Sequence, residues 1–147
     1  MITAEQIESK LAASPGINRA LAASGAAVLL GGSALVAYFD PTQAHFFPVC
    51  PLYSLTGFAC PGCGLTRGFH ALFHGDIASA IHFNALIPIW VVIFSAVLIS
   101  LVLYSIRGRG LPFRKISPHW LWILMVTMIV FGVVRNIPAY PFTLLFP

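Results

Sequence analysis

Charge is what this sequence has least of. Only 8% of its 147 residues are charged, and four of them are acidic: Glu5, Glu8, Asp40 and Asp76. Soluble domains carry about 25% charged residues, so an ordinary water-soluble globular domain is excluded. Disorder is excluded as well, because 59% of the residues are hydrophobic. So few carboxylates leave little for paired-carboxylate acid–base chemistry. The sequence also lacks a phosphate-binding loop, a serine-nucleophile motif and an HExxH metal motif. At this length a single domain is expected.

The chain does contain long uncharged runs. Ala20–Phe39 spans 20 residues, Ile77–Ile106 spans 30 and Ile116–Val134 spans 19. A membrane-crossing helix needs about 20 mostly apolar residues. The expected fold is therefore an all-α membrane protein with three transmembrane helices. The segments are a tail over 1–19, a first span over 20–39, an outer loop over 40–76, an interfacial turn and second span over 77–106, a basic loop over 107–117, a third span over 118–136 and a tail over 137–147. The last 11 residues, 137–147, hold three prolines and are too short to cross. The first span is longer than the apolar region of a signal peptide and has no A-x-A site near Phe39, so it reads as a retained helix.

Arg107, Arg109, Arg114 and Lys115 cluster between the second and third runs, and Lys10 and Arg19 precede the first. In a three-span chain both groups fall on one side, and basic residues gather on the cytoplasmic side. The expected topology in a bacterial inner membrane puts the N-terminus inside and the 40–76 loop and C-terminus outside. The basic cluster reads as this topology signal, so no nucleic-acid partner is expected. The lipid bilayer is the expected partner. Small residues of the first span (Ser24, Gly25, Gly31, Gly32, Ser33) suit packing against the other spans or docking to a membrane-protein partner or a second copy.

The tail before Arg19 is expected to form a short helix that Ser14-Pro15-Gly16 breaks. Asp40–Cys63 carries Pro41, Pro48, Pro51 and Pro61, a density that argues against regular helix. Gly64–His74 reads as a short amphipathic interfacial helix. Cys63, Arg67, His70 and His74 fall within about 60° of one another at 100° per residue. Gly75 ends that helix and Asp76 caps the next one, which is expected to run through His82 and Asn84 into the second span and to kink at Pro88.

Cys50, Cys60 and Cys63 are the three cysteines, and the last two form Cys60-Pro61-Gly62-Cys63. A C-x-x-C turn suits a disulfide or two sites on one metal. Three readings follow. Cys60 and Cys63 are a redox pair with Cys50 attacking or resolving. Alternatively, the three thiolates bind zinc or copper, with His70 or His74 as fourth ligand. In the third reading a disulfide staples a proline-rich loop. Cys63 at a helix N-terminus, one turn before Arg67, is expected to have the lowered pKa. Arg67 suits pairing with Asp76, binding of loop carbonyls, or an anionic ligand. Thr66, Arg67, Asp76, Asn84, Arg135 and Asn136 are expected to form a polar network at the outer face.

The run from Cys50-Pro51 through Cys60-Pro61-Gly62-Cys63-Gly64-Leu65-Thr66-Arg67 to Gly75, Asp76 and Asn84 resembles the DUF2752 family of small bacterial membrane proteins, which has no assigned function. Arg135-Asn136-Ile137-Pro138 resembles its closing motif. The resemblance spans about Cys50 to Pro138. It implies that Cys50, Cys60, Cys63, Gly64, Thr66, Arg67, Gly75, Asn84, Arg135 and Asn136 occupy motif positions. Ala85 departs from the proline the family favours there. The expected function is a binding or accessory subunit for a metal, an anionic group or a partner complex, and whether it is also an enzyme is left open by the residues. A thiol–disulfide redox protein and a stapled structural subunit are the alternatives.

Overall fold

The computed structural model describes residues 14–44, 47, 50–112 and 117–145. Most of the tail helix expected before Arg19, and Arg114 and Lys115 of the basic loop, lie outside them. Among the described residues the fold is all-helical. In chain order the helices are α1 (Pro15–Tyr38), α2 (Pro51–Thr56), α3 (Leu65–Phe73), α4 (Ile77–Phe83), α5 (Ile87–Arg107) and α6 (Pro118–Val134), followed by a 3-10 turn at Phe142–Leu145.

Two helices, α1 and α5, are long and apolar enough to cross a membrane. The third apolar helix, α6, has 17 residues, about 26 Å of rise against a hydrocarbon core of about 30 Å. It begins where Ser117 caps the N–H of His119 and proline takes the first helical position, where no N–H is needed.

Ser14-Pro15-Gly16 begins α1, with Pro15 in the first turn, where no helical N–H is needed, and the tail helix expected to end there lies outside the described residues. Two local expectations are corrected. The proline-rich 40–63 segment does contain a helix, α2, again with proline at its N-terminus and with Gly57 ending it at φ 74°. The Ile77–Ile106 run is two helices with a break and not one kinked at Pro88. Asn84 is extended (φ −158°, ψ 109°), and its Oδ1 accepts from the N–H of Leu86. Pro88 then falls in the first turn of α5, where it costs no helical hydrogen bond.

The chain divides into two compact units, Met1–Ser33 with Val91–Phe113, and Ala34–Trp90 with Arg114–Pro147. In the first, Ala22 and Ala26 are buried, and a methyl group at Gly25 would lie 3.4 Å from Leu101. Arg19 Nη2 donates to the carbonyl of Ile106 at 2.8 Å, which satisfies one of the last carbonyls of α5. Gly31 and Gly32 face open space.

The second unit holds the cysteines. Its centre is the α3–α4 hairpin. Gly75 makes the turn at φ 81°, and Asp76 caps α4 by accepting from the N–H of Ser79, as expected. Ser79, through its hydroxyl and its N–H, holds the Asp76 carboxyl below the usual value. The contact face of α3 is set by Gly68, which is buried. A Cβ there would lie 2.8 Å from Ile87 Cδ1 and 3.1 Å from the carbonyl of Ala80. The isoleucine tip can rotate away, but the Ala80 carbonyl belongs to α4 and cannot move alone. Gly68→Ala is therefore expected to destabilise the unit by about 1–3 kcal/mol, read as a lower melting temperature in detergent. Adding Ile87→Val should recover only part of the loss, because the backbone clash remains.

A candidate thiol metal centre

The sulfurs of Cys50, Cys60 and Cys63 all lie within 4.8 Å of one another. All three are free thiols and partly buried. Cys60 and Cys63 Sγ are 3.3 Å apart, and the N–H of Cys60 donates to Cys63 Sγ at 3.2 Å. The turn closes through the N–H of Cys63 on the carbonyl of Cys60 at 3.0 Å. Gly64 leaves it at φ 79° and caps α3, a conformation that favours glycine. Cys50 arrives from the other side, as the residue before α2.

The carbonyls of this turn point inward, and buried side chains take them up. Asn84 Nδ2 donates to the carbonyls of Pro61 (2.9 Å) and Cys63 (3.1 Å). Arg135 Nη1 donates to those of Cys60 (3.0 Å) and Cys63 (3.1 Å). Asn136 grips Ala59 on both sides, accepting from its N–H and donating to its carbonyl, each at 2.8 Å. Asn84 and Arg135 are each 1% exposed. Gly132 permits the approach, since a Cβ there would lie 3.0 Å from the Pro61 ring. Buried backbone groups must be paired, and here three side chains from two distant segments do the pairing.

The expected polar network thus divides. Asn84, Arg135 and Asn136 meet under the turn. Thr66 and Arg67 line a cavity of about 510 Å³ together with Tyr53 and the three cysteines. The Arg67 guanidinium lies 5.7 Å from the centre of the Phe83 ring, and the loop carbonyls are held by Arg135. Asp76 serves as the exposed cap of α4. The group of mutually close ligand atoms contains the three cysteines and neither histidine. His70 Nδ1 meets the carbonyl of Val36 at 2.7 Å, and His74 Nδ1 that of His70 at 2.9 Å. The two rings stack 4.4 Å apart.

The electrostatics reverse one expectation. Cys50, not Cys63, is the acidic thiol. The backbone N–H of Tyr53 and the thiol of Cys60 lower Cys50 to about 7. Burial pushes Cys63 up to about 12, helped by its hydrogen bonds to Cys60 and Cys50. The dipole of a nine-residue helix does not offset that desolvation.

Residues 50–98 match the family model described as a protein of unknown function, DUF2752. The DUF2752 match takes in all three cysteines, α3, α4, Asn84 and the start of α5. It is narrower than the Cys50–Pro138 resemblance, and Arg135 and Asn136 lie beyond it. No curated protein and no solved structure matches the chain. Gly68 and the inward carbonyls of the turn were missed in the sequence. Glycine inside an amphipathic helix, on neither its polar nor its apolar stripe, was the available signal for the first.

Proposed function

We propose that this chain is a three-span membrane protein whose outer lid binds a soft metal ion on Cys50, Cys60 and Cys63. The observation that carries the reading is the convergence of three sulfurs from two chain segments at the wall of a cavity. Zinc–thiolate bonds of about 2.3 Å place tetrahedral sulfurs about 3.8 Å apart, a spacing this trio reaches with small side-chain rotations. The fourth position opens towards the cavity, where Thr66 and Arg67 can orient a water or an anionic ligand. Such an open position suits delivery or exchange of the ion more than a closed structural site. The exposed apolar side chains of α6, Trp120, Leu121, Trp122 and Ile129 among them, make a lipid-facing surface. Arg107 and Arg109 at the far end of α5 support the cytoplasmic placement of that loop.

The test is a titration of the full chain in lipid nanodiscs with Cd2+, followed by sulfur-to-metal charge-transfer absorption. One ion per chain is expected. Cys50→Ser, Cys60→Ser and Cys63→Ser should each weaken binding by more than about 100-fold, above the effect of removing an outer-sphere group. Wild-type protein without a charge-transfer band would overturn the reading.

The 3.3 Å contact between Cys60 and Cys63 favours one second reading, a dithiol that passes two electrons and two protons to a disulfide substrate. Intact mass after alkylation, with and without reduction, separates the two. Three alkylated thiols without reduction fit the metal site, and one fits the oxidised pair.

A further inference from the structure

Arg135 is 1% exposed, yet only its Nη1 is hydrogen-bonded. Nε and Nη2 are buried and have no partner among the described residues. Its guanidinium lies 4.9 Å from the centre of the Phe131 ring, which offsets only part of the cost of removing a full charge from water. Asp40 and Asp76, the acidic residues among those described, are engaged with Thr42, Gln43 and Ser79. The groups able to carry negative charge above this cation are the thiols, since Arg135 bridges the carbonyls of Cys60 and Cys63.

We infer that Arg135 is the built-in counter-cation of the thiol site, and that the site is matched to a divalent soft ion held by all three thiolates. The inference rests on the metal reading above. Three thiolates and a divalent ion leave a net charge of −1, which one buried guanidinium cancels. Three thiolates around Cu(I) would leave −2, and a charge of −1 with Cu(I) is reached with only two thiolates and one thiol. Arg67 does not change this balance, because it borders the open cavity where solvent screens it. Arg135 is a positioning residue in this scheme, acting on the metal through the field and through the backbone of its ligands.

The experiment compares Arg135→Lys and Arg135→Gln in nanodiscs, with Cd2+ and Cu(I) as probes. Glutamine keeps a donor for the turn carbonyls and loses the charge. Lysine keeps the charge and loses the fork. Cd2+ affinity is expected to fall about 10- to 100-fold in Arg135→Gln and to stay near wild type in Arg135→Lys. Equal losses in both, a larger loss in lysine, or no loss in glutamine would overturn the counter-cation role. All three Cys→Ser changes should weaken Cd2+, whereas one of them should leave Cu(I) affinity unchanged. Cu(I) binding weakened by all three would overturn the match to a divalent ion. Failure of wild type to bind Cd2+ at all removes the metal reading itself and this inference with it.

Discussion

Asn84→Ala is expected to open the thiol turn and to lower stability sharply. The Asn84 side chain makes three hydrogen bonds in a buried site, to the carbonyls of Pro61 and Cys63 and from the N–H of Leu86. The carbonyl of Cys63 keeps Arg135 as a partner, but the carbonyl of Pro61 and the N–H of Leu86 lose theirs. Each orphaned group costs about 1–3 kcal/mol. The loss of about 2–6 kcal/mol is a large share of a typical domain stability of about 5–15 kcal/mol. Two measurements check it. The melting temperature in detergent should drop sharply, and Cys60 and Cys63 should become reactive to alkylation in the native state alongside Cys50. An Asn84→Ala protein that melts with the wild type would mean that Arg135 and Asn136 hold the turn without it.

A single fast-reacting thiol at neutral pH is the second large effect. With Cys50 at about 7, about half of it is thiolate at pH 7, and with Cys63 at about 12, about one part in 10⁵ is. Thiolates of lower pKa are weaker nucleophiles, with a Brønsted slope of about 0.4–0.5, which returns about two to two and a half of those decades. Cys50 should still react with iodoacetamide about two orders of magnitude faster than Cys63, before the burial of Cys63 slows it further. The sign of the pH dependence follows from the lowered pKa. The Cys50 rate should rise as pH passes from 6 to 8 and then level off, while the Cys63 rate should keep rising through pH 9. Mass mapping of singly labelled protein gives the site. First labelling at Cys63 would contradict the electrostatics described above. In intact cells treated with an external chelator to strip any bound ion, a membrane-impermeant maleimide should label Cys50, as the proposed outer location of the lid requires.

Composition and patterning determined much of this molecule without tertiary information. Long uncharged runs favour apolar helices, which is why two helices long and apolar enough to cross a membrane and a third, shorter apolar helix were legible. The α3–α4 hairpin was legible too, because Gly75 and Asp76 are local signals whose partners lie within three residues. The cysteine motif was visible as a motif, but its charge pattern was not. Helix position suggested Cys63 as the thiolate, whereas the backbone N–H of Tyr53 and the thiol of Cys60 lower Cys50 and burial raises Cys63. Burial is a property of packing and leaves no trace in spacing.

Only the tertiary structure could separate the polar residues into two groups. Asn84, Arg135 and Asn136 grip the carbonyls of the 59–63 turn across separations of 21 to 77 residues. Thr66 and Arg67 line the cavity, and His70 and His74 bond to backbone carbonyls. The physical reason is the backbone. The Cys-Pro-Gly-Cys turn satisfies the carbonyls of Cys60 and Gly62 locally but leaves those of Pro61 and Cys63 to donors elsewhere, and sequence does not say which distant donors will reach them. The same holds for the helix break at Asn84, where a side chain engaged with a loop and with the next helix outweighs the apolar continuity of the run.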